Sequence, residues 1–277
     1  MILGLSSPLT HASPTDWARQ HKELGCDAIV FPYSSDMPSE IIDSYVDAAK
    51  QEDLTIAEVG VWRNTLSSNP RERDINISYA IDQLRLADRI GANCCVNIVG
   101  TPHGPVWDGA YVGNYSKETW EMAVKMIQFI IDEATPIHTK FTIEPMPWMI
   151  PSSPDEYLKL IEDVNRDAFG VHMDLINMIN SPKRYFFHEE FAEECFEKLG
   201  DKICSCHLKN VILLPEYTFQ LRECACEDGA INLRYYASLA TKANPRMPMI
   251  IEHLDSDEEY LRSLSYIKTN LKDFIYR

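Results

Sequence analysis

The 277-residue chain is 45% hydrophobic and 25% charged, a globular composition that excludes a disordered or fibrous protein. Its 26 Lys and Arg against 42 Asp and Glu give a formal charge of minus 16. That field repels phosphate backbones and anionic headgroups, which argues against nucleic-acid and membrane partners.

No apolar run approaches the roughly 18 residues a membrane span needs. The opening MILGLSSPLTHASP also lacks a basic stretch followed by a long apolar one. The expectation is a soluble, non-exported protein. Cysteines stand at 26, 94, 95, 195, 204, 206, 224 and 226, and no close pair has the two-residue gap of zinc ribbons or thioredoxin-like motifs. Reduced, mostly buried thiols and a cytoplasmic location are therefore expected.

Strand-like runs alternate with amphipathic helical stretches along the whole chain: residues 2–7, 28–31, 55–62, 94–100, 140–146, 169–178, 203–211 and 248–254. The intervening segments, such as SEIIDSYVDAAKQ, ISYAIDQLRLADRI and KETWEMAVKMIQFIIDEA, carry apolar residues at three- and four-residue spacing. Ser39, Ser116 and Ser153 suit helix starts, and Gly25, Gly91 and Gly200 suit helix ends. No Pro/Gly/Ser linker divides the chain. Eight strand–helix units without a GxGxxG or a GxxxxGK[ST] after the first strand predict a single α/β domain over 1–277, a (β/α)8 TIM barrel. In such a barrel the chemistry sits at the C-terminal strand ends.

The fifth to eighth strands each place a hard-metal ligand type in an apolar run: Glu144 in FTIEPM, Asp174 in VHMDLIN, His207 in SCHLKN and Glu252 in MIIEHL. A carboxylate among Ile, Met and Val is costly to desolvate unless paired or metal-bound. Three of them at one barrel mouth also repel one another, which a divalent cation cancels. Three carboxylates and an imidazole suit one hard divalent ion, with Mn²⁺ expected and Mg²⁺ or Co²⁺ fitting the same donors. The competing reading pairs each acid with a cation such as Lys209 or Arg222.

The quartet, together with TIEPMPW, SSPDEYLKLIEDV, VHMDLIN, CHLKNV, MIIEHLD and CEDGAINL, resembles the xylose isomerase-like TIM barrels, also called the sugar phosphate isomerase/epimerase family. The resemblance implies that Glu144, Asp174, His207 and Glu252 hold one metal ion. It further implies that Glu144 and Glu252 are catalytic, moving a proton on the carbon beside a sugar carbonyl. Two family positions differ: Asn177 stands where the epimerases carry a substrate-binding His, and Leu213 where they carry an Arg. Asn177, Lys209, Trp107 and Trp148 are then the substrate-side candidates, and His103, in the turn after the fourth strand, is a candidate acid or base. Trp62 joins the tryptophans near strand ends, His172 reads as core, and His253 is expected to point away from the axis.

The altered pocket also resembles the catalytic subunits of C-glycoside deglycosidases, which implies a lyase acting on 3-oxo-sugar C-glycosides with a small partner subunit. Inosose dehydratases are further members. A DNA-repair endonuclease on this barrel would want more histidine ligands and a basic face, against the charge of minus 16. A non-catalytic sugar-binding barrel would need the quartet broken. A small sugar-like substrate and a homo-oligomer formed through loops at the mouth are expected.

Overall fold

The structure, a computed structural model, describes residues 1–276. In chain order it runs β1 (Ile2–Leu5), α1 (Pro14–Glu23), β2 (Ala28–Val30), α2 (Ser39–Gln51), β3 (Thr55–Gly60), α3 (Pro70–Ile90), β4 (Cys94–Asn97), α4 (Lys117–Ala134), β5 (Lys140–Ile143), α5 (Pro154–Val164) and β6 (Phe169–Met173). It continues with α6 (Leu175–Met178), α7 (Pro182–Phe186), α8 (His188–Leu199), β7 (Ile203–Leu208), β8 (Asn210–Leu213), β9 (Leu221–Cys224), α9 (Leu233–Ala243), β10 (Pro248–Ile251) and α10 (Asp257–Asn270).

Eight parallel strands among the described residues follow the order β1-β10-β7-β6-β5-β4-β3-β2, so first and last barrel strands pair, Ile2 beside Pro248 through Leu5 beside Ile251. The barrel is nearly closed. At the β1/β2 seam, where the two strands are not paired in the sheet, Asp27 N–H donates to Leu3 O at 2.9 Å. Gly4 makes this approach possible, because a Cβ there would lie 2.5 Å from Ala28 O.

All eight strands expected from the sequence are present, each ending earlier than its apolar run. Two differences bear on function. The run 169–178 leaves the sheet after Met173 and turns into the short helix α6, with Asp174 as its N-cap. The run 203–211 breaks at Lys209, and Asn210–Leu213 forms a separate antiparallel hairpin with Leu221–Cys224. An apolar run cannot distinguish a strand that continues from one that changes partner.

Helix starts follow side-chain chemistry: Ser116 and Ser153 accept from the backbone N–H three residues on, as expected. Ser39 does not cap; it is the first residue of α2, after Pro38. Gly91 ends α3 in the left-handed region at φ 74°, where a side chain is disfavoured, while Gly200 keeps right-handed geometry and opens a 3₁₀ turn. The acidic stretch after the last strand opens α10 with Asp257, Glu258 and Glu259 in its first turn, favourable to the helix dipole.

The main core lies between barrel and helices, with Trp17, Leu84, Ile127, Leu160 and Tyr236 fully buried. A separate apolar cluster of Ile2, Ala28, Ala57 and Ile250 includes the residue two below Glu252 on its strand. All eight cysteines are free, six of them buried. No described helix is long and apolar enough to cross a membrane.

Candidate metal centre

Glu144 directly follows β5, Asp174 follows β6, His207 is the penultimate residue of β7 and Glu252 follows β10. These are four neighbours in the sheet, so their C-terminal ends converge. The register brings the side chains inward: His207 pairs with Ile250, and Glu144 and Glu252 donate their backbone N–H groups to Asn97 O and Leu208 O at 2.8 and 3.4 Å.

One ligand atom from each of the four can be chosen so that all lie within 4.8 Å of one another, and all four residues are buried. His207 Nδ1 is 2.8 Å from Glu252 Oε2, 3.5 Å from Glu144 Oε1 and 3.7 Å from Asp174 Oδ2. Six oxygen or nitrogen ligands about 2.1 Å from one ion sit about 3.0 Å from their neighbours, so these spacings fit a shared cation. Asp174 Oδ1 accepts from Asn177 N–H at 2.8 Å, which leaves its buried Oδ2 turned toward His207 Nδ1 and Lys209. The donor set and its spacing therefore fit a hard divalent ion.

Lys209 supplies the cation that the competing reading asked for. Its ammonium, 1% exposed, stands 2.7 Å from both Asp174 Oδ2 and Glu252 Oε1. It answers two of the three carboxylates; Glu144 instead accepts from Asn177 Nδ2 at 2.9 Å. Burial pushes Glu144 above the ordinary carboxylate range, with His207 opposing and Glu252 and Asp174 adding repulsion. Burial also pushes Asp174 and Glu252 upward, but Lys209 and His207 outweigh it and hold both below their ordinary values. Burial alone would lower His207; the surrounding Glu252, Glu144 and Glu58 raise it well above 6.5.

The structure adds a residue the sequence reading passed over. Glu58 on β3, 2% exposed, faces the same histidine from the other side, its Oε2 3.4 Å from His207 Nε2. Its Oε1 receives His172 Nε2 at 3.0 Å and the hydroxyl of Ser205. His172 is buried as expected, yet it belongs to this polar group, its ring 4.1 Å from that of His207. The signal was present: Glu58 is a carboxylate in the apolar run TIAEVG, the criterion that picked out the quartet.

A cavity of about 190 Å³ opens beside the centre, lined by Glu58, His207, Glu252 and His253 together with Ser6 and Trp62. His253 does not point away as strand alternation suggested. β10 ends at Ile251, His253 takes φ 55°, and its ring reaches Glu223 Oε1 on the hairpin at 2.9 Å and Lys209 Nζ at 3.3 Å. Trp62 is 39% exposed and lies over Gly60, where a Cβ would come within 2.1 Å of its Nε1.

The remaining sequence candidates sit on loops after β4 and β5. His103 is half-buried, with its Nε2 3.1 Å from Thr119 Oγ1 and its backbone N–H on Thr101 Oγ1. Trp148 is 40% exposed and donates from Nε1 to Asp108 O at 2.7 Å; Trp107 is partly buried against the core. Asn114 ties these loops together, donating to Gly109 O and Trp148 O at 3.0 Å each. The structure does not bring His103, Trp107 or Trp148 into the quartet's contacts, whereas Asn177 and Lys209 touch it directly.

A barrel of eight parallel strands with acid and histidine side chains gathered at its C-terminal rim defines the class. The chain belongs to the Xylose isomerase-like TIM barrel family, whose pattern it matches over residues 18–270. No curated protein matched its sequence. Among solved structures it is similar to a Xylose isomerase-like TIM barrel protein from Mycobacterium smegmatis in complex with magnesium, at 18% identity and TM-score 0.69, covering 100% of this chain and 97% of that one. It is also similar to D-psicose 3-epimerase with D-tagatose from Clostridium cellulolyticum H10, at 12% identity, TM-score 0.72 and full coverage of both. A third similar structure is the probable 3-DHS dehydratase AsbF from Bacillus anthracis, at 14% identity and TM-score 0.72, covering 98% of this chain and 99% of that one. At these identities the likeness is one of fold.

Proposed function

We propose that the protein is a divalent-metal-dependent isomerase or epimerase that moves a proton on the carbon beside the carbonyl of a sugar or keto-sugar, as a single cytoplasmic barrel domain. One observation carries this reading: four buried acid and histidine side chains converge at the strand ends, with one candidate ligand atom from each within 4.8 Å of the others. Among the similar structures, an epimerase holding a sugar and a barrel holding magnesium support it.

A hard divalent ion, Mn²⁺ or else Mg²⁺ or Co²⁺, held by Glu144, Asp174, His207 and Glu252 would stabilise negative charge developing on a substrate oxygen and acidify the adjacent C–H. Glu144 is the better proton acceptor of the two glutamates. Burial raises its proton affinity, and the Asn177 amide fixes its carboxylate without supplying a compensating charge. Glu252 is held by Lys209 and remains ionised, ready to accept a proton on its own side of the substrate. Lys209 and Asn177 thus orient the two carboxylates, and Trp62 offers an aromatic face at the cavity. Trp107, Trp148 and His103 are proposed to meet the substrate from the loops.

A lyase, dehydratase or C-glycoside deglycosidase, is the second reading; the probable 3-DHS dehydratase AsbF among the similar structures favours it, and the deglycosidase form would require a small partner subunit and His103 as base. The test is metal analysis of the purified wild type beside Glu144→Gln and Asp174→Asn, followed by incubation with keto-sugars in D₂O. About one equivalent of metal in the wild type, lost in both variants, with deuterium entering the carbon beside the carbonyl, is the expected result. Exchange accompanied by loss of water or of an aglycone selects the lyase. A folded wild type that takes up no Mn²⁺ refutes the metal-dependent reading.

A further inference from the structure

His207 is held from two sides. Its Nδ1 faces Glu252, Glu144 and Asp174, and its Nε2 faces Glu58 alone. Glu58 comes from β3, across the barrel from β7, and is fixed by two further donors, His172 Nε2 and the Ser205 hydroxyl, both gathered on its Oε1. Oε2 is thereby left for His207. Metal-ligating histidines gain orientation and basicity when their second nitrogen donates to a carboxylate.

We propose that Glu58 is a positioning residue that accepts the Nε2 proton of His207, and so presents Nδ1 to the metal; this rests on the metal-dependent reading above. Ser205 and His172 serve the same end, because they occupy the oxygen that would otherwise compete for His207. Glu58 with His172 and His207 could also be viewed as a second metal triad, since their ligand atoms lie within 4.8 Å of one another. The hydrogen bonds decide against it: each Glu58 oxygen already has a donor, so the carboxylate is satisfied without an ion.

A glutamine at 58 offers only one acceptor oxygen for two imidazoles, and its amide N–H₂ would be turned on one of them. Three measurements test the assignment: Mn²⁺ affinity and stoichiometry of wild type and Glu58→Gln by competition with a chelator, their melting temperatures without metal, and ¹⁵N-histidine NMR of the Mg²⁺-loaded wild type. We expect one equivalent in the wild type, affinity about 10- to 100-fold weaker in the variant, and His207 protonated at Nε2 and not at Nδ1. The NMR arm does not depend on the variant folding. An affinity within twofold of wild type, a second equivalent of Mn²⁺, or His207 carrying its proton on Nδ1 overturns the proposal. A wild type without metal sinks the functional reading along with it, whereas metal uptake unaffected in Glu58→Gln sinks this inference alone.

Discussion

Lys209→Met tests how the centre balances its charge. The buried ammonium lies 2.7 Å from Asp174 Oδ2 and 2.7 Å from Glu252 Oε1. Methionine preserves most of the side-chain volume and deletes the charge, leaving two buried carboxylates with only His207 to answer them. Removing one member of a buried ion pair costs about 3 to 5 kcal/mol, which for a domain of this size lowers the melting temperature by roughly 6 to 10 °C. On the proposed metal-dependent reading, a divalent cation at the quartet would replace that missing charge. Mn²⁺ should therefore raise the melting temperature of the variant by more than it raises that of the wild type. The assay is thermal unfolding by circular dichroism of both proteins in EDTA and in excess Mn²⁺. Equal stability in EDTA, or a smaller Mn²⁺ shift in the variant, would refute the view that ammonium and cation serve the same carboxylates.

Two further predictions concern the scaffold. Gly4→Ala forces a Cβ to within 2.5 Å of the Ala28 carbonyl, and since backbone cannot give way as a side chain can, a loss of about 1 to 3 kcal/mol is expected in chemical denaturation; an unchanged midpoint would show that the β1/β2 seam is looser than described. Asp88 accepts the backbone N–H groups of Ile137, His138 and Thr139 at 2.9, 2.6 and 3.0 Å, ahead of β5. Burial opposes its ionisation, but those three donors outweigh it and hold the carboxyl below its ordinary 3.8. A depressed carboxylate contributes stability that is present above 3.8 and lost as pH falls through its folded value. Asp88→Asn should cost about 1 kcal/mol at pH 7, with the difference shrinking below pH 4; a gap that does not change with pH would refute the assignment.

Some of this protein is decided by local pattern. Eight apolar runs separated by amphipathic segments suffice for the alternating strands and helices, because each run's length and period are set by its own residues. The quartet was legible for the same reason: a carboxylate or imidazole at the C-terminal end of an apolar run is anomalous without reference to any other part of the chain. Ser116 and Ser153 capped their helices because capping reaches only three residues ahead.

What the sequence left open involves partners far apart along it. Glu58 meets His172 and His207 across 114 and 149 residues, and only barrel closure sets that distance. Lys209 looked like one residue of a continuous strand, but the sheet ends at Leu208 and a hairpin begins at Asn210, and this places the ammonium between Asp174 and Glu252. His253 turned toward the cavity once the strand had ended, because the two-residue alternation that fixes side-chain direction holds only while the backbone remains extended. The sequence by itself determined which acid and histidine side chains stand at the strand ends. The tertiary structure decided which of them neutralise, orient and face one another, since charge pairing depends on distances across the barrel that no local period encodes.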